Sequence, residues 1–299
     1  MNLLDKAIVM TMPLAPRFIV RRVASRYVAG EDLASAARCV RELNSGGAMA
    51  TMDLLGEEVL EKIDAEDAVQ RYLRMLDTID REHLDCNVSL KLSQLGLRID
   101  EDYCVENVAR IAERASKSGN FVRVDMEDHT RTDVTLRVYR AVQSHHGNLG
   151  VVLQSMLHRT ADDVETSVGE KSNVRLCKGI YREPARIAFQ EPQAIRESYV
   201  AALNRLLEGG CYVGIATHDE VLVEAAMQTV RRLGLSRHQY EFQMLLGVTP
   251  TLRQRVLDDG HRLRVYVPYG RDWYPYSIRR LRENPTVALH VMRAMVFPG

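Results

Sequence analysis

Eight short apolar runs, each closing on a polar or charged residue, recur from residue 46 onward and decide most of what this chain can fold into. They are GGAMATMD (46–53), NVSLKLS (87–93), FVRVDME (121–127), LGVVLQS (149–155), NVRLCKG (173–179), YVGIATHD (212–219), YEFQMLLG (240–247) and HRLRVYVPYG (261–270). Their starts lie on average about thirty residues apart, the period of βα units, and eight such units close a (β/α)8 barrel.

The segments between the runs carry helix signals. IDEDYCVENVARIAERASKSGN (99–120) has an acidic first turn, a Val105, Val108, Ile111, Ala112 stripe and Gly119 near its end. EPQAIRESYVAALNRLLEGG (191–210) starts with Pro192 and ends on a glycine pair. No linker or low-complexity tract divides the chain. The expected organisation is a helical segment over 1–44 packing on one α/β barrel over 45–299, whose final helix, 273–284, lines the active site.

At 299 residues the chain is long enough for one large barrel. Forty basic residues balance forty acidic ones, which argues against nucleic acid as the main partner, because phosphate binding needs a net basic face. Cys39, Cys86, Cys104, Cys177 and Cys211 form no CxxC pair and read as reduced thiols of a cytoplasmic-type compartment. No apolar run approaches the roughly 18 residues of a spanning helix. The Arg-rich N-terminus has features of a transit peptide or an interfacial helix. Asp5 and two prolines favour an amphipathic preface.

Chemistry in a barrel sits at the carboxyl ends of the strands. Those ends carry Asp53 with Glu57, Lys91, Asp125 with Glu127, Gln154, Arg175 with Lys178, Thr217 with His218, Glu241 with Gln243, and Tyr266. Lys91 reads as a buried salt-bridge partner as readily as it reads as a Schiff-base nucleophile and an anion anchor taken together. DMED (125–128) reads as turn chemistry rather than a metal cluster, and no HExxH occurs, so no metal is expected. His145 and His146 are placed in a solvated turn on the opposite rim. With no GxG and no P-loop, a phosphorylated cofactor needs another grip. RLCKGIY (175–181) offers two cations and a glycine that lets backbone amides approach. After the eighth run, Tyr276, Arg279, Arg280 and Glu283 fall on one helical stripe at i, i+3, i+4 and i+7. Alone it would be a solvated face; at the rim it becomes a receptor for a carboxylate or phosphate.

Taken together, TMDLLGE, SLKLSQLG, VRVDMED, VVLQSM, VRLCKGIYREP, IATHD, YEFQMLLGV and VYVPYGRDWYPYSIRRLREN resemble the proline dehydrogenase family in its short bacterial form, as do RRVASRYVAGED and RELNSGG. The resemblance covers nearly the whole chain. It implies a distorted (β/α)8 TIM barrel with non-covalent FAD that oxidises L-proline to Δ1-pyrroline-5-carboxylate, by hydride transfer from C5 to flavin N5, and passes electrons to a quinone. It further implies that Arg279, Arg280 and Lys91 hold the proline carboxylate, that Glu283 orients them, and that Tyr266, Tyr276, Tyr181 and Leu176 shape the ring pocket. Glu57 would pair with the first arginine as a lid, and Asp125 would organise Lys91, Tyr266 and the arginines. Gln154 and Arg175 would face the flavin ring, Arg175 near N5. Cys177, Lys178 and Gly179 would grip the ring edge and pyrophosphate, Thr217 and His218 the nucleotide part, with a backbone contact from Met126. The family often has Val at Cys177, which puts a thiol near the flavin here. Contact with a membrane surface, and a pyrroline-5-carboxylate dehydrogenase as partner, are left open. The rival expectations are a Schiff-base aldolase or lyase using Lys91 and a barrel that has become a binding scaffold.

Overall fold

A computed structural model of the chain describes residue 21, residues 24–56 and residues 58–283, with side chains as far as residue 278. The eight runs form eight parallel strands: β1 (Met49–Leu54), β2 (Cys86–Leu90), β3 (Val122–Val124), β4 (Leu149–Gln154), β5 (Asn173–Cys177), β6 (Tyr212–Ala216), β7 (Tyr240–Leu245) and β8 (Leu263–Tyr269). They pair in chain order and close when β8 meets β1, with Thr51 opposite Tyr266 and Asp53 opposite Pro268.

Helix α1 (Leu33–Ser45) precedes the barrel, and α2 (Lys62–Arg81), α3 (Glu101–Lys117), α4 (Thr132–His146), α5 (Thr160–Gly169), α6 (Pro192–Glu208), α7 (Glu220–Arg232) and α8 (Pro250–Asp258) link successive strands. Their starts follow local chemistry. Asp32, Asp100 and Asp219 accept hydrogen bonds from the amides of Ser35, Tyr103 and Val221, satisfying donors that a first helical turn leaves open. Gly147 ends α4 at φ 71°, a left-handed conformation that glycine adopts without strain. The turn expected at His145 and His146 is therefore the last turn of α4, because the stop signal lies one residue later at Gly147.

The hydrophobic core lies between strands and helices. Val88, Val124, Val151, Val174, Val213, Phe242 and Val265 are fully buried and pack with apolar residues of the helices, among them Tyr72, Val108, Tyr199 and Val223. Strand side chains alternate across a sheet, so the other set faces the barrel interior. In this chain that set is unusually polar: Thr51, Asp53, Asn87, Ser89, Arg123, Asp125, Arg175, Glu241, Gln243 and Arg264.

Helix α1 packs against β1 and β8, on the outer face beside the barrel's closing seam. A last βα helix would otherwise cover that seam. With the place taken, α9 (Trp273–Glu283) leaves β8 at Gly270 and brings buried Tyr276 to the cavity at the strand ends. Gly270 has φ 138°, and a Cβ there would sit 3.0 Å from the Leu55 carbonyl. No helix among the described residues is long and apolar enough to cross a membrane.

Candidate active site

The carboxyl ends of the strands enclose a cavity of about 630 Å³, within the usual range for substrate and cofactor sites. Lys91, Asp125, Met126, Gln154, Arg175 and Cys177 line it, as do Lys178, Gly179, Tyr181, Thr217, His218, Tyr266 and Tyr276, all of them among the residues expected at the site.

One wall is a compact ionic group. Lys91, just beyond β2, donates to Asp53 Oδ1 at 2.6 Å and stands 4.0 Å from Asp125 Oδ2. Burial opposes its charge, but the two carboxylates outweigh burial and hold the ammonium above the ordinary lysine range. Burial and the neighbouring Asp125 push the Asp53 carboxyl up, against the pull of Lys91. Asp125 itself accepts from Ser89 Oγ at 2.6 Å and Arg175 Nη1 at 2.6 Å on one oxygen, and from the Tyr266 hydroxyl at 3.0 Å on the other. Burial first, then Asp125 and Asp53, keep the Tyr266 phenol protonated well above its usual range, so it remains a donor. The Arg175 guanidinium also lies over the Tyr266 ring, 5.3 Å from its centroid.

The opposite wall carries the residues expected to grip an anion. Gly179 has φ 104°, and a Cβ there would come within 2.5 Å of the Met156 sulfur. The position thus takes glycine for both conformation and space. Lys178 Nζ and Arg196 Nε both reach Asp219 Oδ2, at 3.1 and 2.8 Å. Burial works against the Asp219 charge, yet these two donors outweigh it and hold the carboxyl below its usual range. Two cations on one anion leave one positive charge for a ligand. His218 Nε2 accepts from the Leu245 amide at 2.8 Å, which fixes the ring at the mouth and puts its proton on Nδ1. Burial pushes the Cys177 thiol up to about 11, so it is not a nucleophilic thiolate.

Leu176 does not line the cavity. It is fully buried in the outer core, because Arg175 and Cys177 on either side of it face inward and strand alternation sends it the other way. Asp53 is the closer partner of Lys91, a role expected of Asp125. In the sequence Asp53 and Gln243 stand at the rim without a role of their own, and Ser89, Arg196 and Asp219 do not stand out. The signal for the interior pair was present: a parallel strand buried on both faces reads as continuous apolar sequence, and polar residues at every second position break that pattern. Arg196 and Asp219 gave none, since their meeting is set by α6 against α7. Glu57 lies outside the described residues, as do the side chains of Arg279, Arg280 and Glu283, whose backbone continues α9 three, four and seven residues beyond Tyr276.

Two buried polar atoms on the ionic wall, Arg175 Nη2 and Asp53 Oδ2, have no hydrogen-bond partner among the described residues. Buried polar atoms are almost always paired, so orphans beside a cavity mark contacts a bound group completes. An aromatic wall with paired charges, a glycine that lets the backbone approach and net positive charge opposite fit a flat cofactor with a phosphate tail.

Fold and site together define an eight-stranded α/β barrel with a cavity lined by charged and aromatic residues at the carboxyl ends of its strands, where enzymes of this architecture keep their sites. The chain belongs to the proline dehydrogenase family, whose model matches residues 36–293. It is 36% identical over 279 residues to the proline dehydrogenase of Deinococcus radiodurans, covering 92% of this chain and 90% of that protein. It is 34% identical over 282 residues to proline dehydrogenase 1 of Bacillus subtilis subsp. natto, covering 94% and 93%. Among solved structures, proline utilization A of Bdellovibrio bacteriovorus, inactivated by N-propargylglycine, matches with a TM-score of 0.84 at 22% identity, a likeness of fold. The match covers 89% of this chain and 33% of that one, so this chain spans about a third of that protein's length. As a proline dehydrogenase the chain oxidises proline in proline catabolism.

Proposed function

We propose that the chain oxidises L-proline to Δ1-pyrroline-5-carboxylate with FAD held non-covalently in the cavity, the electrons leaving to a quinone. The observation that carries this reading is Arg175, buried between Asp125 and Gln243 with Nη2 unpaired at the cavity. When bound, the flavin supplies the acceptor for the hydride leaving C5 of proline.

Gln154, Arg175 and Cys177 would lie along the flavin ring, with Met126, while Lys178 and Gly179 would take the pyrophosphate and Thr217 and His218 the nucleotide. Gln154 is already oriented, donating to the Glu127 carbonyl at 3.0 Å. Tyr266, Tyr276 and Tyr181 would wall the pyrrolidine ring and exclude water, which strengthens every charge interaction inside. Charge balance assigns the rest. Asp53 and Asp125 offset Lys91 and Arg175, so the described wall brings no net positive charge to the substrate carboxylate. Arg279 and Arg280, one turn beyond Tyr276 in α9, would supply it, with Glu283 orienting them and Glu57 closing over the site.

The same observations count against a Schiff-base lyase. A nucleophilic lysine needs a lowered pKa, and Lys91 is held charged by two carboxylates. The test is product chemistry: purified protein given L-proline and a short-chain quinone should form an imine trapped by o-aminobenzaldehyde. Absence of that adduct, with borohydride trapping of a carbonyl substrate on Lys91, would reverse the assignment.

A further inference from the structure

Gln243 faces the barrel interior from β7, two strands away from Arg175 on β5, yet its side-chain oxygen accepts the Arg175 Nε–H. The strand between them, β6, places Gly214 in register with both Arg175 and Glu241. A Cβ on Gly214 would fall 2.5 Å from Gln243 Nε2 and 2.9 Å from its Cδ. Gly214 has no positive φ, so its lack of a side chain is a matter of space: it is the gap through which Gln243 reaches Arg175.

The amide is also oriented. Its Nε2 donates to Glu241 Oε1 at 2.6 Å. Glu241 is buried, and although burial opposes its charge, Arg264 at 2.7 Å, Tyr212 and Gln243 outweigh it and hold the carboxyl down to about 2. A carboxylate only accepts, so the amide must turn its nitrogen to Glu241 and its oxygen to Arg175. The column runs Arg264, Glu241, Gln243, Arg175, Asp125, and each member fixes the next.

We propose that Gln243 is a positioning residue for the oxidation, locking the Arg175 guanidinium against the cofactor through the gap at Gly214, with Glu241 setting which end of its amide faces Arg175. This rests on the FAD-dependent reading above. The lock holds a full positive charge at one place beside the flavin, and preorganised charge of this kind favours the reduced cofactor and the charge that builds during transfer.

The test uses the flavin-loaded full chain in three variants. Gly214→Ala deletes no polar group and displaces only the flexible end of Gln243; Gln243→Met removes both hydrogen bonds at similar volume; Gln243→Glu adds a negative charge beside Arg175. The midpoint potential of the bound flavin should fall in all three by at least the equivalent of a tenfold change in the two-electron equilibrium, about 30 mV, and furthest in Gln243→Glu. Turnover should fall roughly tenfold with KM for proline within about twofold of wild type, a loss confined to the transition state. Wild-type potential and turnover in Gly214→Ala and Gln243→Met would reduce Gln243 to filler and overturn the proposal. So would loss of flavin in Gln243→Met beside an unchanged Gly214→Ala. If proline fails to reduce the wild-type flavin, the parent reading fails instead, a result separable from unchanged variants of an active wild type.

Discussion

The Lys91 ammonium lies 2.6 Å from a carboxylate oxygen of Asp53, a residue with only 1% of its side chain exposed, on the neighbouring strand. Removing one member of such a pair strands the other in a poorly solvated place, at a cost of about 3 kcal/mol. Asp53→Ala should therefore lower the unfolding free energy by that order, and the double variant Asp53→Ala with Lys91→Met should recover most of it. Denaturant unfolding of the four proteins checks this as a double-mutant cycle. Additive losses would show that the pair is not coupled.

Tyr266 combines a hydrogen bond to Asp125 with a ring under the Arg175 guanidinium. Its bulk on the substrate side should favour proline over trans-4-hydroxyproline. Tyr266→Ser, which opens that space, should raise the hydroxyproline-to-proline ratio of kcat/KM by about tenfold, whereas Tyr266→Phe should leave the ratio near wild type. Comparable efficiencies for both substrates in the wild-type enzyme would remove the ring from selectivity.

Glu241 gives a stability that depends on pH. Its folded pKa of about 2 lies below the ordinary carboxylate value, so its contribution is fully present above about pH 4.5 and is lost as pH falls toward 2. Linkage puts that contribution at about 3 kcal/mol. Unfolding free energies measured between pH 6 and 2 should fall through this window. The fall should be shallower in Glu241→Gln by the share that Glu241 supplies.

Arg279 should act on binding rather than on the cofactor. Loss of one charged contact to a carboxylate costs about 2 kcal/mol, so Arg279→Ala should raise KM for proline roughly thirtyfold while flavin content stays near wild type. An unchanged KM would return the Tyr276, Arg279, Arg280, Glu283 stripe to a solvated face.

The barrel was legible because its signal is one of period: eight apolar runs at βα spacing, each ending near the strand end it forms. Side-chain direction was harder. The sequence groups Leu176 with its pocket neighbours, and only strand alternation, fixed by Arg175 and Cys177 facing inward, removes it. Asp53 was visible at the rim, but which lysine it meets depends on the β1–β2 register, which puts Asp53 opposite Ser89 and brings Lys91 alongside. The contact from Gln243 to Arg175 is less readable still, since it passes over a third strand and depends on a missing side chain at Gly214. The last turn of α4 is hard to read from sequence because the two histidines adjoin a Gly-Asn pair, and only the left-handed conformation of Gly147 shows that the helix ends after them.

The central claim is that this cavity holds a flavin that takes electrons from proline, and one spectrum tests it most directly. Purified protein should show flavin absorption bands, and anaerobic addition of L-proline should bleach them, with Arg175→Met slowing the bleaching by about a hundredfold or more, the size of losing one preorganised charge. A colourless protein that gains no bands when incubated with FAD, or flavin bands that L-proline leaves unchanged, would contradict the account.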